Sequence, residues 1–320
     1  MTSAVKIAQS AAPGVTVGFR NRIINGAMQI WQRGTSFSAS GSGYYTADRW
    51  QTLGQTGTYS QSSDAPTGFK NSLSISCTST YYGTIAQRIE AQNSYDLAGQ
   101  SVTVSFWAKA TTGGASGLGI ALDYANASDN FSSTTNFAST STAALTSTWT
   151  KYTATFNSLN ANVTNGLQLY IYNLAGGAAA ITYLISGVQL EVGTSATNFD
   201  YRPYGTELAL CQRYFEKSFD TETAPANGPN GTSVSTSNGV TVGWSTNSTF
   251  GGMYVKFQVA KRAVPTLTAY GNSSGYWYAG AWGSLAAYFN YVGTSGYSVT
   301  QQQTGGQNVV YGHWTASAEL

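Results

Sequence analysis

The chain has 320 residues, of which 42% are hydrophobic and only 9% are charged, against roughly 25% charged in an average soluble domain. A net charge of +2 with no basic stripe excludes nucleic-acid binding, which needs clustered Lys and Arg to neutralise phosphates. Ser, Thr, Asn, Gln and 36 Gly replace the missing charge, and with 22 Tyr and 8 Trp the composition favours pleated strands and turns over helices.

Residues 1–19, with Pro13 and Gly14, read as a flexible docking arm. Their opening stretch lacks the apolar core of a signal peptide, and nothing downstream is long enough to cross a membrane as a helix. Residues 20–202 alternate in short runs separated by Gly, Ser, Asn and Thr. Leu73, Ile75 and Cys77 share one face of such a run, as do Val102, Val104, Phe106 and Ala108. The pattern returns in Tyr152, Ala154 and Phe156, and in Leu167, Leu169 and Ile171. A last run starts at Ile181, Tyr183 and Ile185 and ends in Val188, Leu190 and Val192. Period-two alternation with one apolar face predicts half-buried antiparallel strands, and so many of them predict a sandwich. Tyr170 and Tyr172 fall on the opposite face from Leu169 and Ile171, so they are either exposed or covered by a partner.

Residues 203–219 read as a connection: Pro203 interrupts the strand pattern, and Thr206 is placed to cap a short helix over Glu207–Lys217. Residues 220–320 form a second β unit after a Pro-, Gly- and Asn-rich loop at 220–232. Its expected strands are Val240–Trp244, Met253–Lys261, Thr266–Tyr270, Tyr276–Trp282, Ala286–Val292, Tyr297–Gln301 and Val309–Thr315. No repeat of 20–50 residues marks a solenoid or propeller. The expected fold is all-β: two antiparallel β-sandwich, jelly-roll-like domains joined by a short helical or irregular connection.

Several segments carry a family resemblance. NRIINGAMQIWQRGTSF at 21–37 and YYTADRW at 44–50 resemble the start of many tailed-bacteriophage tail-fibre or minor virion proteins. The run at 185–218 resembles their central junction, and FQVAKRAVPTLTAY with YGHWTASAEL resembles their distal domain. Residues 97–192 are similar to jelly-roll carbohydrate-binding modules in LAGQSVTVSFWAKA, LTSTWTKYTATF and ITYLISGVQLEVG. The last strand of those modules often carries an Asp before the Val, where this chain has Ile185-Ser186-Gly187. The resemblance implies a virion location, with assembly in the bacterial cytoplasm. It also implies a homotrimer but no named sugar; the partners expected are other virion proteins, docked through the N-terminal arm, and host cell-surface polysaccharide.

Signals for catalysis are weak. Gly271-Asn272-Ser273-Ser274-Gly275 matches the nucleophile-elbow pattern, but no Asp or Glu lies between it and His313, the only histidine, and no helix pattern follows. Glycoside hydrolysis needs two carboxyl groups facing one sugar, and the 13 acids are scattered. The glycine run Gly113–Gly119 lacks the Lys and helix of a phosphate loop and reads as a hairpin loop. Asp48 and Arg49 read as an ion pair or turn anchor beside a core Trp50, and His313 as a packed residue near a strand end. Cys77 and Cys211 read as two buried thiols, with no metal spacing; no cofactor is expected. Tyr276, Trp277, Tyr278 and Trp282, interrupted by Gly275, Gly280 and Gly283, suggest rings standing on loops that stack on sugars, with Tyr270 and Asn272 nearby. A core or subunit-interface role is the competing reading. The function expected is that of a non-enzymatic tail-fibre or receptor-binding subunit contacting envelope glycan. The alternatives are a purely architectural head-fibre or decoration protein and a polysaccharide-degrading tailspike.

Overall fold

The computed structural model describes residues 19–43, 45–53, 55–77, 83–112, 116–174, 180–228, 240–243, 250–271, 277–278, 284–285, 287–302 and 309–320. The arm expected at 1–19 therefore lies, apart from Phe19, outside the described residues.

The first unit is a two-sheet sandwich. One sheet runs β1 (Ser36–Gly41), β3 (Gln55–Ser62), β4 (Ser72–Cys77), β11 (Ile181–Val192), β6 (Val102–Thr112) and β9 (Thr150–Phe156) in spatial order. The facing sheet runs β2 (Gln51–Thr52), β5 (Ile85–Ile89), β10 (Leu167–Asn173), β7 (Leu118–Ala127) and β8 (Asn130–Ser141), and all pairings are antiparallel. The chain changes sheet after β1, β2, β4, β5, β6, β8, β9 and β10, which is jelly-roll-like connectivity. The glycine run after β6 is accordingly a crossover between sheets and not the expected hairpin; its residues 113–115 lie outside the described set.

The alternating residues read from sequence form the core. Leu73, Ile75, Val102, Val104, Phe106, Leu167, Leu169 and Ile171 are all fully buried between the two sheets. On β11 the apolar phase slips from Ile185 to Val188, and the register breaks between Ser186 and Gln189. Gly187 sits in this bulge at φ +64°, and a Cβ there would lie 2.6 Å from the Phe69 ring, so the bulge needs glycine. Val192, expected on the core face, is exposed at the strand end. Ser186 is buried and donates its hydroxyl to the Asn71 carbonyl at 2.8 Å.

Residues 20–35 form no strand, yet Ile23, Met28 and Trp31 enter the same core. Asn25, at φ +55°, makes this possible. Its amide donates to the Ile30 and Asp48 carbonyls at 2.9 and 3.0 Å, and its oxygen accepts from the backbone of Gln29 and Ile30 at 2.8 and 3.0 Å. A buried loop must satisfy its backbone groups somewhere, and one Asn does much of that here.

Two short helices follow different rules. α1 (Ala91–Ser94) closes the end of β5. α2 (Tyr204–Gln212) starts with Pro203 at the N-cap, φ −53°, with no side-chain cap. Thr206 therefore lies in its first turn and is not the cap, because the fixed φ of proline already suits a helix start. The helix ends before Lys217, since β12 (Phe215–Lys217) joins the next sheet by pairing with β20 (Val309–Ser317).

In the second unit β20 is the central strand, pairing with β12, β13 (Val240–Gly243), β15 (Thr266–Tyr270) and β16 (Trp277–Tyr278), which pairs with β17 (Ser284–Leu285). A separate sheet is formed by β14 (Phe250–Lys256), β19 (Gly296–Gln302) and β18 (Tyr288–Asn290). Between them lies a core of Phe257, Trp277, Tyr297, Val299, Trp314 and Ala316.

The two units are tied by charge. Glu319 pairs with Arg33 at 3.0 Å and with the buried Arg49, Arg88 donates to the Leu320 carbonyl, and Arg213 reaches Glu90 at 2.9 Å. Asp48 and Arg49 are thus both buried as expected but do not pair with each other. Asp48 accepts from the Gln32 amide at 2.5 Å, and Gln32 also donates to the Phe215 carbonyl at 2.9 Å. Burial pushes the Asp48 carboxyl above its usual range, against the pull of Arg33 and the Gln32 hydrogen bonds.

Candidate functional site

The outer face of the five-stranded sheet carries a shallow groove of about 430 Å³ lined by Leu53, Thr84, Ala121, Asp123, Asn136, Tyr170 and Tyr172. Alternation dictates its floor. Because Leu167, Leu169 and Ile171 of β10 point into the core, Gln168, Tyr170 and Tyr172 must point out. Register then sets each beside a partner on β7: Tyr172 opposite Gly119, Tyr170 opposite Ala121, and Gln168 opposite Asp123. Small residues beneath the tyrosines let the rings lie down on the sheet. At Gly119 a Cβ would fall 2.2 Å from the Tyr172 ring, so this ring lies directly across the glycine.

β8 supplies the polar wall. Its register with β7 shifts between Leu122 and Asp123, and this irregularity brings Asn136 and Thr134 to the Asp123 carboxylate. The Asn136 amide donates to Oδ1 at 2.8 Å and the Thr134 hydroxyl to Oδ2 at 3.2 Å. Burial of the Tyr170 hydroxyl, then the Asp123 charge, pushes its pKa up to about 12. The phenol therefore stays protonated across the physiological range. At the far end Arg88 donates to Gln168 at 2.7 Å and lies over the Phe131 ring. The arrangement offers two half-buried rings and a fixed cluster of amide, hydroxyl and carboxylate groups. Flat C–H faces stack on such rings, and hydroxyls bond to such clusters.

The rings proposed from sequence are elsewhere. Tyr276, Trp282 and Asn272 lie outside the described residues, as does most of the Gly271–Gly275 elbow match. Tyr278 is placed in β16 opposite Ser284 and Tyr311. Trp277 is fully buried, donates its Nε1–H to the His313 carbonyl at 3.1 Å, and meets Phe289 edge-on at 6.3 Å. It is a core residue, which corrects the reading of Trp277 as a sugar-stacking ring. The neighbouring glycine that matters is Gly312, where a Cβ would lie 2.3 Å from the indole; glycine here makes room for burial and not for exposure. Tyr270 is half-buried and packs edge-on against Phe219 at 5.5 Å. His313 lies mid-strand in β20, stacked on Phe219 at 4.1 Å with Nδ1 3.0 Å from the Ser218 hydroxyl. Cys77 and Cys211 are buried free thiols, and burial pushes both above the usual thiol range, Cys77 to about 11. Among the described residues no cluster of His, Cys, Asp or Glu could hold a metal ion.

No protein-family model matches the chain, and no curated protein matches it. Among solved structures, the enzymatically active domain of bacteriophage CBA120 tailspike protein 4 is 11% identical with a TM-score of 0.36, over 54% of this chain and 22% of that one. The CBM22-1 xylan-binding domain of Paenibacillus barcinonensis Xyn10C is 13% identical with a TM-score of 0.35, over 57% of this chain and 100% of that one. The CBM22-2 domain of the same protein is 21% identical with a TM-score of 0.34, over 45% of this chain and 92% of that one.

Proposed function

We propose that the chain is a non-catalytic glycan-binding β-sandwich protein whose ligand lies along Tyr170 and Tyr172. The observation that carries this reading is the pair of half-buried rings lining the groove, Tyr172 laid across Gly119, beside the Asp123–Asn136–Thr134 cluster. Asp123 is the one charged residue in the described lining of the groove, so a neutral glycan fits better than an acidic one. Hydrolysis by either stereochemical route uses two carboxyl groups across the scissile bond, and this lining supplies one. That supports binding without cleavage. The resemblance of residues 21–37, 44–50 and 185–218 to tail-fibre proteins adds the setting: a trimeric fibre or receptor-binding subunit of a phage particle, with the groove turned to the host envelope.

An array of neutral and acidic polysaccharides tests the proposal. The chain should retain neutral members without shortening them. Tyr170→Ala with Tyr172→Ala should weaken retention about tenfold or more, since a stacked aromatic contributes on that scale. Gly119→Ala should do the same without removing either ring, by lifting Tyr172 off the sheet. Unchanged retention in these variants overturns the site, silence on all neutral glycans favours a purely architectural subunit, and chain shortening favours a tailspike enzyme. Sedimentation of the same preparation should show three chains.

A further inference from the structure

The three-stranded sheet of the second unit presents a face that differs from the rest of the surface. Met253 and Val255 of β14, Val299 of β19 and Phe289 of β18 belong to the second core or pack against it. Alternation therefore turns Tyr254, Lys256, Ser298, Tyr288 and Asn290 outward. Tyr254 and Tyr288 are 58% and 53% exposed. Tyr254, Ser298 and Asn290 form one row across the three strands, and Tyr288 sits on the next outward row, opposite Thr300. The two tyrosines thus stand on a diagonal, on strands about 9–10 Å apart. Tyr254 reaches across Gly296, its hydroxyl 2.5 Å from where a Cβ would stand, and Lys256 is the residue paired with that glycine.

Tyr291, immediately after β18, adds an independent signal. It is 89% exposed and has φ +50°. The left-handed region strains a bulky residue, and Gly or Asn would occupy it more easily. A ring standing almost wholly in water gives back nothing in packing. Strain held without any folding benefit points to contact with something outside the chain.

The chemistry of the face selects the partner. Phenol rings offer stacking surfaces, and Ser298 and Asn290 between them offer donors and acceptors at sugar-hydroxyl scale. β14, β18 and β19 contain no Asp or Glu, and their one charge is the exposed Lys256, so the face complements an anion. The centre of a subunit interface would be more apolar and depleted of Lys. We infer that this face is a second carbohydrate surface, which stacks sugars of an anionic polysaccharide on Tyr254, Tyr288 and Tyr291 and holds its acidic group near Lys256. It is opposite in sign to the Asp123 groove and does not depend on it.

The test uses the full chain carrying Tyr170→Ala and Tyr172→Ala, so that the groove is silent. Polygalacturonate supplies a carboxylate probe, teichoic acid a phosphate probe, and dextran a neutral control, each in affinity electrophoresis at low and high salt. One of the acidic polymers should retard the chain, and the one that does identifies the anion. Adding Tyr254→Ala and Tyr291→Ala should weaken retardation about tenfold with the melting temperature unchanged, because both rings are exposed. Lys256→Gln should weaken it at low salt and flatten its salt dependence. The inference is overturned if neither acidic polymer retards the chain, or if the tyrosine variants leave retardation intact. It is equally overturned if those variants change the sedimenting species while leaving retardation intact, which would make the face a contact between copies. Failure of the groove would instead show as unchanged retention of neutral glycans by Tyr170→Ala/Tyr172→Ala on the array.

Discussion

In the first sandwich, strands of up to 12 residues bury mainly Leu, Ile and Val between two broad sheets, with rings such as Trp50, Phe106 and Tyr183 set among them. In the second unit the strands are shorter, and the core is made largely of rings. Tyr297 meets Trp314 at 5.5 Å, Phe257 at 5.7 Å and Phe289 at 5.2 Å, while Phe257 meets Trp314 at 5.6 Å. A small sheet has few inward positions, and a ring fills more volume at each than a branched aliphatic does. Rings are thus a minority of the first core and the bulk of the second. Tyr170 and Tyr172 of the first unit stand half-buried on an outer face, whereas Trp277 and Trp314 of the second lie in its core.

The sharpest way to break this comparison is Trp277→Ala. Loss of a fully buried indole together with its bond to the His313 carbonyl should cost about 3–5 kcal/mol, concentrated in the second unit. Calorimetry should show its transition lowered while that of the sandwich persists. A variant that melts like the parent would return Trp277 to the surface and remove the distinction.

Next in size is the charge that joins the halves. Glu319→Ala leaves the buried Arg49 guanidinium without its carboxylate, and an uncompensated buried charge costs about 3 kcal/mol. The expected result is a lower unfolding midpoint, with proteolysis beginning between the units near residues 203–228. Uniform protection in the variant would show that packing alone joins them.

A smaller effect sharpens the comparison at the same junction. Lys217 donates to the Thr221 carbonyl at 3.0 Å and to that of Thr223, and burial lowers its pKa from 10.5 to about 8. Between those values the unfolded chain binds a proton that the folded chain does not, so stability rises with pH over that window. Relative to Lys217→Met, the parent should gain about 2 kcal/mol from pH 8 to 10. The variant serves as reference because the buried tyrosines, whose pKa values burial raises, act in the opposite direction above pH 10. A constant difference between parent and variant would mean that Lys217 remains protonated in the fold.

Much of the architecture follows from local pattern alone. Alternation in Val102–Ala108, Leu167–Ile171 and Leu73–Cys77 dictates strands with one buried face, because side chains alternate across any pleated strand. Even the β11 bulge is visible as the slip in phase from Ile185 to Val188. The outward placement of Tyr170 and Tyr172 follows from the same rule. What alternation could not say is what lies beside them. Asp123 and Asn136 reach Tyr170 through strand order, register and an irregularity in β8, which depend on pairings between residues far apart in the chain. The fate of Trp277 was hidden for the same reason. Its neighbouring glycines suggested an exposed loop, whereas Gly312, 35 positions later, provides the space in which the indole is buried. Sequence determines which face of a strand a residue occupies; only the tertiary structure decides whether that face meets a core, a groove or water, since burial belongs to the partner strand as much as to the residue.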